Sequence, residues 1–254
     1  MRRGMLFLLS TVLCGCQGET PEVQTVRTVP TIKRTVVKHP LKAGTGTFVV
    51  DIITINRSAY HKLAQLKSTM ETAGVYGPDE KLLAMNGLMM GRTDMRFAAQ
   101  FNKAVDAMRS DPKRMTVVRL IADGRSQNFD VGDTLHETTV FVCPEADAVT
   151  GRHYRRARYR MLLNLESVQQ TPKTAEIKTS WQLRTGPGLS RTVSIAPLDV
   201  TAELVVGQSL IVAPADFRGR GVGRAFLSGV DEKAVELTFF VITPKELHAK
   251  GELQ

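Results

Sequence analysis

A period-two alternation of apolar and polar residues recurs three times in the second half of the chain, in residues 158–168, 174–184 and 198–206. Successive side chains of a strand point to opposite faces, so this pattern predicts strands with one buried face and one wet face. Such strands are typical of antiparallel sheets. Residues 152–244 are therefore expected to form an antiparallel β-rich unit. The apolar residues that carry the pattern in the first two stretches are Tyr159, Met161, Leu163, Leu165, Ala175, Ile177, Trp181 and Leu183.

The preceding residues, 46–143, mix strand and helix patterns. Phe48–Ile55 is almost continuously apolar and β-branched, which predicts a buried strand. Ser58 predicts the N-cap of a helix from Ala59 to about Thr72, and Thr93 predicts the N-cap of a helix over Asp94–Arg109. The apolar face expected for this second helix consists of Phe97, Phe101, Ala104, Val105 and Met108.

Shorter elements complete this part of the chain. Pro78-Asp79-Glu80 opens a short helix and places carboxylates in its first turn, where the helix dipole favours them. Leu88–Met90 predicts a short extended segment, and Met115–Ala122 and Thr138–Cys143 predict strands. The mixed order of strands and helices makes residues 46–143 a small α/β unit, and the expected fold class is α+β.

The first sixteen residues have the layout of an export signal. Arg2 and Arg3 form a short basic start, and the apolar run Met5–Leu13 is far shorter than the roughly 20 residues needed to span a bilayer. The run ends in Leu13-Cys14-Gly15-Cys16, which resembles the lipobox of bacterial lipoproteins, although a small residue is usual where Cys14 stands. The alternative is an ordinary cleaved signal with incidental cysteines.

The lipobox resemblance implies a signal peptide over residues 1–15 and a diacylglycerol anchor on the thiol of Cys16. Residues 16–45 then predict a flexible tether, because they are rich in Thr, Val, Pro and Lys without a sustained period. Fully extended, such a tether reaches on the order of 90–100 Å. By resemblance to enteric lipoproteins, Gln17 favours the outer membrane over the inner one, with the folded part in the periplasm.

Composition narrows the classes of partner and cofactor. The chain carries a formal net charge of +9, with a pI near 9.7, which suits anionic partners. Aromatic residues make up only 6% of the chain, which supplies a base-stacking platform poorly. No nucleic-acid partner is expected, because an exported lipoprotein rarely meets nucleic acid. The five histidines and three cysteines have no metal-site spacing, and no cofactor is predicted. Cys143 ends an apolar run and is expected to be a buried, unreactive thiol.

Residues 152–160 form the densest run of charge and hold five arginines. One interpretation is an anion-binding patch for lipid head groups, cell-wall polymer or, ranked last, nucleic acid. The other is a solvated strand edge, where charge discourages sheet-to-sheet aggregation, and this second interpretation is favoured. The candidate anion-binding residues are Arg152, Arg155, Arg156, Arg158 and Arg160.

A second motif, Arg218-Gly219-Arg220-Gly221-Val222-Gly223, resembles the acyl-CoA loop of N-acetyltransferases. In that family, the turn offers backbone N–H groups to a pyrophosphate at a helix N-terminus. The resemblance implies acyl-CoA-dependent transfer. The span from Gly223 to a strand at Val235 is too short for the long helix that follows the family's loop. Acetyl-CoA is also not expected outside the cytoplasm.

The C-terminal strands resemble those of bacterial secretins, the outer-membrane channels of secretion systems. The matching segments are Gly207–Val212, Val222–Leu227 and Glu236–Pro244. The chain departs from the family at Ala213-Pro214, where secretins have two glycines, and only a strand module is implied, not a pore. Phe239–Ile242 is apolar on both faces, which predicts the centre of a sheet or a surface that meets a partner.

These observations predict an exported, lipid-anchored cell-envelope protein. It is expected to have a non-enzymatic structural or interaction role, in a secretion or envelope assembly, with the membrane and an envelope protein as partners. Two alternatives stay open at this stage. One is an acyl-CoA-dependent N-acetyltransferase-like protein that uses the glycine-rich loop, and the other is an anionic-polymer binder that uses the arginine-rich strand.

Overall fold

Two antiparallel sheets account for most of the chain. The computed structural model describes residues 43–56, 60–109, 114–145, 148–215, 221–227 and 236–252. The signal peptide, Cys16 and nearly all of the tether lie outside the described residues, as do Ser58, Arg218 and Arg220. The described residues belong to one compact unit that comprises residues 38–254.

The first sheet combines strands from both ends of this unit. Its strand order is β2-β4-β11-β12-β1-β5, and every pairing is antiparallel. The strands are β1 (Thr45–Asn56), β2 (Met70–Glu71), β4 (Leu88–Thr93), β5 (Arg114–Ala122), β11 (Leu210–Pro214) and β12 (Glu236–His248).

The second sheet contains the alternating strands that the sequence predicts. Its order is β3-β10-β8-β7-β6, and β9 pairs with one end of β8. Its strands are β3 (Val75–Tyr76), β6 (Arg125–Glu145), β7 (Ala148–Gln169), β8 (Thr174–Thr185), β9 (Arg191–Ser194) and β10 (Val200–Val205). The hairpin of β6 and β7 extends beyond the end of β8, because β8 pairs only with residues 157–169 of β7.

The described residues form four α-helices, α1 (Tyr60–Lys67), α2 (Glu80–Met85), α3 (Ala98–Arg109) and α4 (Val222–Leu227). Helices α1 and α3 cover one face of the first sheet, whereas residues of α2 and α4 belong to the core on its other side. Leu66 of α1 and Phe101 and Val105 of α3 pack against the face of the first sheet that carries Ile53 and Phe239. The opposite face of the first sheet packs on the second sheet and forms the larger core.

Strand β12 explains why one stretch of sequence is apolar on both faces. It lies between β11 and β1 inside the first sheet. Phe240 and Ile242 point into the core between the sheets, and Phe239 and Val241 point toward the helices. The prediction that Phe239–Ile242 forms the centre of a sheet is confirmed. Pro244 lies at an irregularity in the pairing of this strand with β1, after which the strand continues to His248.

The β-rich character of the chain is confirmed, but the α/β unit expected for residues 46–143 is not. Strands β1 and β4 from that range pair with β12 and β11 from the C-terminal range, so the sheets interleave the two stretches. The physical reason is burial. A central strand that is apolar on both faces needs a paired neighbour on each edge and a covering layer on each face.

Several local predictions need correction. The first helix ends at Lys67, and Met70 belongs to β2. The helix expected from Asp94 begins as a 3-10 turn over Met95–Phe97, so Phe97 is 43% exposed rather than part of the core. Asp94, not Thr93, is the capping residue. Its carboxylate accepts from the backbone N–H and guanidinium of Arg96, and this hydrogen bonding lowers the pKa of Asp94.

Candidate functional site

The arginine run lies on β7, and most of its charge faces carboxylates of β6. The Nε of Arg160 donates to Asp130 at 2.8 Å, and Arg158 lies 3.4 Å from the other oxygen of that carboxylate. Arg155 lies 3.6 Å from Glu137, its cross-strand neighbour. Arg156 has a positive φ of 51° and is exposed. The five arginines therefore do not form one uninterrupted basic patch.

Arg152 lies apart from the other four arginines. It lines a small groove of about 170 Å³ together with Tyr154 on β7 and Val193 on β9. Its cross-strand neighbour on β6 is Val140. Within the described residues, Arg152 has no ion pair.

The glycines of the second motif serve close packing. A Cβ on Gly221 would lie 2.5 Å from the backbone of Asn86, and one on Gly223 would collide with the backbone of Gly87. The N–H of Gly223 donates to the carbonyl of Asn86 at 2.6 Å. The described part of the loop thus uses its glycines to bring α4 against the turn between α2 and β4.

Asn86 connects three parts of the fold at that turn. Its side chain is fully buried, and its Nδ2 donates to the carbonyls of Leu82 and Cys143. Its Oδ1 accepts from the N–H of Cys143 at 2.8 Å. This one amide side chain therefore makes two hydrogen bonds to the backbone at the end of β6, the bonds that a neighbouring strand would otherwise make. Cys143 itself is a buried free thiol, as predicted.

The most distinctive feature is an edge of β4 that no described strand covers between Leu88 and Gly91, called the open edge below. Pairing with β11 covers one edge from Leu88 to Arg92, whereas β2 covers the other edge only at Arg92 and Thr93. Thr93 donates its N–H to Ser209 on the β11 side, and Asp94 donates to Thr69 on the β2 side. The backbone N–H and C=O groups of successive residues in a strand point alternately to its two edges. Those of Leu88 and Met90, like those of Asp94, therefore point to the β2 side, where β2 does not reach them.

The edge stays open because the chain leaves the first sheet after Glu71. Glu71 is fixed by Arg92, whose Nε donates at 2.8 Å, and Gln208 donates to the same oxygen at 3.3 Å. The chain then turns at Gly74 and continues as β3 in the second sheet. Gly74 has a φ of 69°, and a Cβ there would collide with the guanidinium of Arg92. The positive φ favours glycine at this crossover, and a larger residue would also displace the guanidinium of Arg92.

A pocket of about 570 Å³ adjoins the open edge, within the range usual for ligand sites. Its apolar lining comes from β2, α2 and β4, and its rim carries charge. Lys67 and Glu80 form an ion pair across this rim at 2.7 Å. The main apolar lining residues are Met70, Leu83, Leu88, Met89 and Met90, and Ala73 and Ala84 complete the walls.

The sequence does not single out this pocket. Its methionines and leucines have the pattern of ordinary core residues, and the open edge depends on where β2 ends. The only sequence signal is Gly74, a glycine that follows the expected end of the first helix at about Thr72. The described residues contain no group of side chains suited to hold a metal ion. None of the described helices is long and apolar enough to cross a membrane.

Comparison with known proteins assigns no family to this fold or site. No protein-family model, curated protein or solved structure matches the chain.

Proposed function

We propose that this is an exported, lipid-anchored cell-envelope protein with a non-enzymatic interaction role. It binds an extended, apolar segment of an envelope partner along the open edge of β4. The single observation that carries this proposal is the edge of Leu88–Gly91, which no described strand covers, beside an apolar pocket. The lipobox-like Leu13-Cys14-Gly15-Cys16 supports the anchored location.

The backbone chemistry of the edge favours a strand as the ligand. Within the described residues, the edge-facing N–H and C=O groups of Leu88 and Met90 have no neighbouring strand. An added strand would continue the line of β2 and bond to these groups, the arrangement by which many domains recognise extended peptides. Main-chain bonds supply affinity there, and alternate side chains supply specificity.

The pocket favours apolar side chains on that strand. Met70, Met89 and Met90 supply flexible, polarizable surface that adapts to different apolar groups. Charged groups stand at the rim, where Lys67 and Glu80 are each more than half exposed. An apolar centre with a polar rim is the usual anatomy of a protein interface.

The binding proposal is tested by photocrosslinking in living cells. A photoreactive residue in place of Ala73, on the pocket wall, should yield one main adduct. The matched position is Ala99, an exposed alanine of α3 outside the pocket. Mass spectrometry should map the adduct to an extended apolar segment of the partner.

Ala84→Trp supplies the blocking variant, because Ala84 is exposed and lines the pocket. It should abolish the adduct at position 73, whereas Ala99→Trp should leave it unchanged. An adduct that survives Ala84→Trp, or no adduct at position 73, would overturn the binding proposal. The anchor is tested separately by the intact mass of membrane-extracted protein. An unmodified Cys16 would overturn the anchored location alone.

A further inference from the structure

Two arginines stand directly opposite each other on the outer face of the second sheet. The register pairs Arg158 of β7 with Arg184 of β8. The residues on either side of them, among them Tyr159 and Leu183, are buried in the core, so both arginines point to the outer face. Directly opposed Cβ atoms lie about 4.5–5.5 Å apart, and like charges in such a pair destabilise a sheet.

Too few carboxylates surround these arginines to neutralise them. Asp130 of β6 lies opposite Arg160 and accepts from its Nε at 2.8 Å. The same carboxylate is 3.4 Å from Nη1 of Arg158. Arg184 has no ion pair within the described part of the chain, so three guanidinium groups share one carboxylate.

Hydrogen-bond donors remain unused at the same place. The Nε of Arg158 is buried and has no hydrogen-bond partner. Arg184 is half-buried and brings a guanidinium group with five N–H donors. The unused donors belong to two adjacent strands, and Asp130 already occupies one side of Arg158. A tetrahedral oxyanion offers enough acceptors for two forked guanidinium groups, which bind phosphate well.

We propose that Arg158 and Arg184 form a binding site for a phosphate group on the outer face of the second sheet. Asp130 holds Arg158 and Arg160 in place, and Thr192 of β9, opposite Arg184, borders the site. A bound phosphate removes the repulsion between the paired arginines. The group comes either from free phosphate or from the head group of a phospholipid. This site lies on a different sheet from the open edge of β4 and does not depend on the proposed function.

The test is titration calorimetry at constant ionic strength with two probes, inorganic phosphate and glycerophosphoglycerol, a soluble phospholipid head group. Arg184→Gln should weaken phosphate binding by roughly tenfold, the loss expected for one charge-assisted contact. Arg125→Gln is the matched control. It removes one exposed arginine of the same sheet, five residues along β6 from Asp130 and about 17 Å away.

The stability of the ligand-free protein gives a second readout. Because Arg184 has no ion pair among the described residues and faces a like charge, Arg184→Gln should unfold at the same or a higher temperature than the unsubstituted protein. Tighter binding of the diester than of phosphate identifies a head group as the source, and the reverse order identifies free phosphate. Two results would overturn the proposal: no binding of either probe, or equal weakening by Arg184→Gln and Arg125→Gln.

Discussion

Asn86 shows how much of the fold depends on one polar side chain. It is buried at the meeting point of α2, α4 and the end of β6, and it exchanges two hydrogen bonds with the backbone of Cys143. Replacing it with alanine leaves a buried N–H and a buried C=O of Cys143 without partners. Each such group costs about 1–3 kcal/mol. Asn86→Ala should therefore lower the free energy of unfolding by about 2–6 kcal/mol, measured by urea denaturation.

The matched control is Asn128→Ala, an exposed asparagine on β6. Its effect should stay within about 0.5 kcal/mol, as for most surface substitutions. If Asn86→Ala were equally mild, the amide would not be holding the end of β6. No local sequence pattern reveals Asn86, because its partner is 57 residues away in the chain.

At the same scale, glycine shows why a motif can be interpreted in two ways. Gly221 and Gly223 fit the spacing of a phosphate-binding loop, and the structure places them against the backbone of Asn86 and Gly87. Glycine is needed wherever another backbone segment or a ligand approaches the chain closely. The sequence therefore predicts a close contact there but cannot say with what.

Among the elements, β4 is the one whose surroundings matter most for the proposed function. Its backbone groups alternate between the covered edge and the open edge, so amide exchange should alternate as well. In the free protein, the N–H of Met90 should exchange with solvent faster than the N–H groups of Met89 and Gly91, which face β11. Hydrogen exchange followed by NMR measures each amide separately. Equal protection of Met89 and Met90 would mean that another group covers the edge.

Strand existence was predictable from the sequence, but strand length was not. The alternation around Tyr159 and Trp181 predicts β7 and β8 because each strand buries one face in the core. β6 runs for 21 residues, whereas only Thr138–Cys143 was predicted. Its outer part is mostly polar and exposed, and cross-strand pairing with β7 extends it where no apolar pattern exists. Pairing between strands is a tertiary interaction that a single strand's pattern does not contain.

For the whole molecule, the order of strands was the part that the sequence could not supply. β1 pairs with β12 across nearly two hundred residues, and nothing local in Phe48–Ile55 specifies that partner. The pocket follows from the same non-local order, because it exists only where β2 ends and the chain crosses to the other sheet. The apolar character of Phe239–Ile242 did predict an interior strand, since burial on both faces is a property of the strand itself.

The core between the sheets should also set the alkaline limit of stability. Tyr159 is 2% exposed and lies there against Phe226, and its hydroxyl is hydrogen-bonded to Thr138. Burial raises its pKa above the ordinary value near 10. The folded state thus keeps its proton where the unfolded state loses it. Stability is complete below about pH 10 and then falls as pH rises toward the raised pKa, by up to about 1.4 kcal/mol per pH unit.

Tyr159→Phe should remove that part of the pH dependence. Its free energy of unfolding will start lower, because Thr138 loses a partner, but it should fall less steeply between about pH 9.5 and 11. Tyr76→Phe is the control, because Tyr76 is 53% exposed and should leave the slope of the unsubstituted protein unchanged. Urea denaturation across this pH range gives the slopes. Identical slopes for Tyr159→Phe and the unsubstituted protein would contradict this prediction. They would mean that Tyr159 has the same protonation state in the folded and the unfolded protein, either protonated in both or ionised in both. Since a charged phenol in this core must disrupt the contact between the second sheet and α4, we expect the slopes to differ.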